Sequence, residues 1–175
     1  MLSSGAYAAD GTITFTGNVY KPTCSVVTDS QSLSVTLPPV SSSAMAGSGT
    51  VFGYMPFEIQ LADCNLAQNT VQKVGLMFAG TVDSSASDVL VNEATGASIA
   101  TGVGVAIYTG DGATQLVING TENDNQDLGE LDASSTAISG GTLNLPLVAK
   151  YYNYGGAASP AGSVSSSVAF SVTYQ

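Results

Sequence analysis

The sequence predicts an all-β fold, a sandwich or barrel, and three observations predict it. Apolar residues recur mostly with a period of two rather than 3.6. The alternating segments are short, and clusters of Gly, Ser, Asn and Asp separate them. Nothing in the chain sustains a helix. The 175 residues suffice for one sizeable core, and no internal repeat or linker divides them, so a single domain is expected.

Each element follows from its own pattern. Residues 11–20 alternate most cleanly, with Ile13, Phe15 and Val19 on one face and Thr and Asn on the other. Similar alternation predicts strands at 33–37, 57–61, 103–107 and 143–147, and further strands are expected at 74–78 and 148–152. Pro38 and Pro39 break any ladder after Leu37, marking a strand end or a crossing between sheets. Residues 42–46 could form one turn of helix before Gly47 and Gly49 end it. Turn chemistry fills 41–50, 81–88, 109–113, 119–127, 139–141 and 155–162, with Asn119-Gly120 read as a hairpin turn. The last strand, 168–175, places Val168, Phe170, Val172 and Tyr174 on one face. The sequence ends on it, so its far edge is expected to lack cover, and such an edge invites pairing with another chain.

Composition removes several functions. Hydrophobic residues make up 44% and charged residues 9%, so the surface is built largely from Ser, Thr, Asn, Gln and Gly. Thirteen carboxylates face three lysines (Lys21, Lys73, Lys150), giving a net charge of -10. Nucleic-acid binding needs clustered Lys or Arg to neutralise phosphate, and docking on anionic lipid needs the same, so neither is expected. No run of 18 apolar residues exists to insert in a membrane as a helix.

Cys24 and Cys64 admit three readings: buried thiols, metal ligands or a disulfide. The chain has no His, which argues against a closed zinc site, and no metal or other cofactor is expected. Both cysteines lie in strand-like segments. Ala6-Tyr7-Ala8 before Ala9-Asp10 has the small-x-small form of an export cleavage site, so residues 1–8 are read as a signal remnant. That start favours a disulfide and an oxidising compartment. Closing 40 residues would stabilise the fold by about 4 kcal/mol in the chain-entropy description.

Catalysis finds little to work with. Without His there is no Ser-His-Asp or Cys-His arrangement, and no catalytic residue is assigned. The acidic stretch 122–132 suggests calcium, but counted from Asn123 the sixth loop position is Leu128 where an EF-hand requires Gly. It reads as a solvated loop. The chain is not expected to be an enzyme.

The combination of an alternating N-terminal strand ending in Cys24, a second Cys within Phe57-Glu58-Ile59-Gln60-Leu61-Ala62-Asp63-Cys64, and a closing strand on Tyr174-Gln175 resembles pilins of the chaperone-usher pathway, most nearly the type 1 fimbrial major subunit. The resemblance implies an incomplete immunoglobulin-like β-sandwich lacking its last strand, completed by a donor strand from a neighbouring subunit. It implies three parts: residues 1–8 a remnant, 9–22 a donor-strand extension, 23–175 the pilin domain. Implied partners are identical or related pilins, a periplasmic chaperone that holds the carboxylate at Gln175, and an outer-membrane usher. Implied localisation is the periplasm in transit and then a cell-surface fimbrium.

Residues 9–22 could add a strand to a sheet edge, main-chain hydrogen bonds giving affinity and alternate side chains giving specificity. Ile13, Phe15 and Val19 are the expected plugs, together contributing about 5 to 9 kcal/mol before ordering costs. Gly11 and Gly17 fall in the same register. Gly17 reads either as a bulge in an ordinary first strand or, as the resemblance favours, as a close approach of donor and acceptor backbones. Val168, Phe170, Val172 and Tyr174 are expected to border the acceptor groove. The role this implies is the major rod subunit of an adhesive fimbria. The alternatives are a minor or adaptor subunit, or a secreted single-domain lectin with Tyr151, Tyr152 and Tyr154 as a stacking surface.

Overall fold

The structure, a computed structural model, describes residues 14–17, 24–66 and 71–175. Among the described residues nine strands form two antiparallel sheets. They are β1 (Ser25–Val26), β2 (Val51–Ala62), β3 (Gln72–Ala79), β4 (Val82–Asp83), β5 (Ala86–Leu90), β6 (Val103–Thr109), β7 (Gly129–Leu131), β8 (Thr142–Asn153) and β9 (Ala169–Tyr174). The larger sheet runs β1-β2-β8-β6-β5-β4 and the smaller β7-β3-β9. One α-helical turn, α1 (Thr28–Gln31), follows β1.

Period-two patterning puts one face of each sheet into a shared core. Ile59 and Leu61 of β2, Leu145 and Leu147 of β8, and Val74, Leu76 and Phe78 of β3 are all buried there. Cys24 and Cys64 are joined by a disulfide at one pole of this core. In β8 the alternation gives way to a continuous buried run from Leu147 to Ala149. The cause is a second cluster on the outer face, where Val148 packs with Val89, Ala106 and Tyr108. Lys150 caps that cluster: its ammonium lies 4.2 Å from the Tyr108 ring centroid and donates to the Gly112 carbonyl at 2.7 Å.

Several expectations need correction. The strands foreseen at 143–147 and 148–152 are one strand, β8, running through Pro146. Val27 N–H donates to Gln60 O, so the odd residues of β2 face β8 and the Glu58–Pro146 pair exchanges no bonds with it. The Pro146 nitrogen therefore points toward β6, which has ended at Thr109, and no rung is lost. The 81–88 cluster is not only a turn, since β4 and the start of β5 lie in it. Asn119-Gly120 is not a hairpin turn between strands. Asn119 adopts φ +58° and its amide pairs with both backbone groups of Gly80. Residues 33–37 are not in a ladder, although alternation predicted a strand there.

Candidate functional site

An open cleft of about 820 Å³ separates the two sheets along one side. One wall is residues 31–37 and the other residues 164–170. The floor is apolar, with Ile59, Phe78, Leu90, Val105 and Ile107 rising from both sheets. Beyond Tyr151 the cleft continues into a recess of about 350 Å³ over the buried Met45 and Val103, bounded by Pro160 and Val164. Burial pushes the Tyr151 hydroxyl above its ordinary value of 10.0. Among the described residues no charged side chain lines either recess.

Both walls are backbone edges. Lys73 N–H donates to Gln175 O at 2.7 Å and Gln175 N–H to Lys73 O at 2.9 Å. Antiparallel alternation then makes Thr173, Ser171 and Ala169 the bonded partners of Gly75, Met77 and Ala79. The N–H and C=O groups of Val168, Phe170 and Val172 consequently turn the other way, toward the cleft. On the facing wall, among the described residues, no backbone hydrogen bond engages residues 33–40. Val35 and Leu37 turn inward, half-buried, between exposed Ser34 and Thr36. The arrangement is a gap with an apolar floor and, among the described residues, unpaired backbone edges on both sides.

A polar peptide group left unpaired beside an apolar surface is costly unless water or a partner satisfies it. An alternating strand entering the gap would satisfy both edges and cover the floor in one step. Among the described residues the cleft presents no charged side chain and no nucleophile beyond hydroxyls.

The predicted site residues fall in different places. Val168 and Phe170 line the cleft. Val172 and Tyr174 pack on the core at the disulfide pole, where Cys24 N–H donates to the Tyr174 hydroxyl at 3.1 Å. Gln175 continues the β9 ladder, and its Nε2 donates to Asn123 Oδ1 at 3.2 Å. Phe15 is 89% exposed, and Gly17 has no neighbour against which a side chain would press. Gly11, Ile13 and Val19 lie outside the described residues.

Sequence reasoning missed the facing wall and the two-compartment floor. A signal for the wall existed. Pro38 and Pro39 cannot donate to a ladder, and Pro within a sheet is confined to edges. Read with the alternation of residues 33–37, they mark an extended edge segment outside any ladder rather than a strand end. Tyr151 carried no such signal, because its partner across the sheet is set by a bulge. Gly53, with φ +76°, and Tyr54 together oppose Lys150, and an added Cβ at Gly53 would come 2.7 Å from the Tyr151 ring.

Comparison with known proteins adds independent findings. A family model described as fimbrial protein matches residues 13–175. The F17 fimbrial protein of Escherichia coli is 35% identical over 175 residues, covering 99% of this chain and 92% of that protein. The type-1 fimbrial protein, A chain, of Escherichia coli (strain K12) is 31% identical over 175 residues, covering 99% and 88% respectively. Among solved structures, the P pilus rod subunit PapA superposes with a TM-score of 0.62 at 21% identity, covering 87% of this chain and 99% of that one.

Proposed function

The chain belongs to the fimbrial protein family, and on that premise we propose that its cleft accepts the N-terminal extension of another copy while its own extension enters a third. It is a structural subunit of a chaperone-usher fimbria, exported to the periplasm and assembled with other pilins at the cell surface. The observation that carries the proposal is the pair of backbone edges, residues 33–37 and 164–170, unpaired among the described residues and facing each other over an apolar floor.

The donor is residues 9–22, with Gly11, Ile13, Phe15, Gly17 and Val19 on the inserted face and 23–175 as the accepting domain. Alternation supports this reading, as does Phe15, a large aromatic left 89% exposed. A chain with both an acceptor cleft and a donor strand can be extended in both directions, which is what the major rod subunit requires. Before assembly a chaperone strand fills the same gap, with Gln175 held in the chaperone's basic cleft. The role is structural and no catalytic step is assigned.

Deleting residues 9–20 tests the proposal. The shortened subunit should form its chaperone complex and accept a donor peptide but give no fibres by electron microscopy. Fibres from that deletion would refute donation by the extension.

A further inference from the structure

We propose that Asn92 is the positioning residue that holds the upstream half of the acceptor wall in strand register. The proposal rests on the reading of the cleft as a strand acceptor.

The ladder between β3 and β9 begins at Ala79 and Ala169, yet the wall of the cleft reaches back to residue 164. Among the described residues no strand of either sheet pairs with residues 164–168. The segment 91–100 takes that place, with Asn92 near its start. Asn92 Nδ2 donates to Ser163 O at 2.9 Å and to Ala100 O at 2.8 Å. Its Oδ1 accepts from Ser165 N–H at 2.9 Å and from Ala94 N–H at 3.0 Å. An amide has two donors and an oxygen with two lone pairs, and all four are used. Toward Ser163 and Ser165 the side chain offers what a neighbouring strand's peptide group would offer.

Parity gives these bonds their consequence. Glu93 N–H donates to Ser165 O at 2.7 Å and Ser163 N–H to Ser98 O at 3.1 Å, so the odd residues 163 and 165 are tied away from the cleft. The odd residues of β9 are tied away from it by β3. The even residues 164, 166 and 168 therefore present their backbone groups to the cleft in phase with 170 and 172. Asn92 lengthens the usable edge past the end of its supporting strand. The fit is close: an added Cβ at Gly162 would lie 2.4 Å from Ala100 N, so the wall is pressed against the segment that carries it.

Asparagine is specifically required. In Asn92→Asp a carboxylate oxygen replaces Nδ2 and faces the Ala100 and Ser163 carbonyls, where it cannot donate. The loss should be confined to donor residues that meet positions 164–168.

The test uses the full chain in complex with its chaperone, challenged with an excess synthetic peptide of residues 9–22 and with two peptides shortened by four residues from either end. Formation of the peptide-bound subunit is followed by native mass spectrometry. Asn92→Asp should slow uptake of the full peptide about tenfold, the loss expected for two hydrogen bonds. With the peptide lacking the end that meets residues 164–168, variant and wild type should agree within about twofold, while the other shortened peptide keeps the tenfold difference. An equal effect on all three peptides means only general destabilisation, and it overturns the proposal, as does no effect on any. If Asn92→Asp gives no chaperone complex, Asn92→Ser, which keeps one donor and one acceptor in a smaller side chain, is measured against the same three peptides with the same criterion. Failure of the wild type to take up any peptide would instead overturn the acceptor reading itself.

Discussion

Phe15 gives the sharpest separation between a donor strand and an ordinary first strand. At 89% exposed it has almost the whole transfer free energy of a phenylalanine side chain still to gain. Full burial of Phe contributes up to about 3 kcal/mol, so Phe15→Ala should weaken the joint between subunits by about 2 to 3 kcal/mol. That corresponds to roughly 30- to 150-fold faster dissociation, because interface substitutions act mainly on the off-rate. A void left unfilled in the neighbour's cleft would carry the loss toward about 3 to 5 kcal/mol. The domain itself should not notice, since the side chain is almost wholly exposed there, and its stability should stay within about 0.5 kcal/mol. Subunit release from fibres in guanidinium, followed by sedimentation, reads the first quantity. Circular dichroism of the subunit filled with excess wild-type donor peptide reads the second. Thr14→Ala and Thr16→Ala, on the opposite face, are the controls and should change neither. Unchanged fibre dissociation in Phe15→Ala, or a loss that appears in the isolated domain instead, would refute the reasoning.

Replacing Cys24 and Cys64 by Ser should cost about 4 kcal/mol and lower the urea midpoint by about 2 M; a shift below about 0.5 M would show that the disulfide does not constrain the unfolded chain as supposed. Gly53→Ala combines a left-handed backbone with a Cβ 2.7 Å from the Tyr151 ring, and should destabilise by about 2 to 3 kcal/mol in the same assay. Acid should weaken the fold in a defined window. Hydrogen bonds from Thr109 and Ala113 to Asp111, from Thr121 to Asp124 and from Ser134 to Asp132 hold these carboxyls below their ordinary value of 3.8. A depressed folded value means the contribution is present above 3.8 and is lost as pH falls through the lower folded values, so Asp111→Asn should flatten the decline in thermal midpoint below pH 4.

Much of the fold was legible because burial on one face of a sheet imposes a period of two. Ile59 and Leu61, Val74 to Phe78, and Leu145 and Leu147 could be placed in the core from alternation alone. The cysteine pair was legible from its setting. Pairing was not, because alternation says which face is buried and nothing about what lies alongside. The bare edge of β9 was expected and Pro38-Pro39 signalled the other, but only the three-dimensional arrangement turns both toward one gap. The same limit hid Asn92, a polar residue in an irregular segment whose two key partners are 71 and 73 residues away in the chain. Strands β4 and β5 were obscured by Ser and Asp, whose turn preference the sheet overrides.

The central claim is that a strand from another copy occupies the gap between residues 33–37 and 164–172. Backbone amide hydrogen exchange, compared between the free domain and assembled fibres, tests it most directly. The account predicts that the amides of Ser166, Val168, Phe170 and Val172 and alternate amides along residues 33–37 pass from rapid exchange to strong protection in fibres, while Ser171 and Thr173 are protected in both. Edge amides that still exchange rapidly within intact fibres would contradict it.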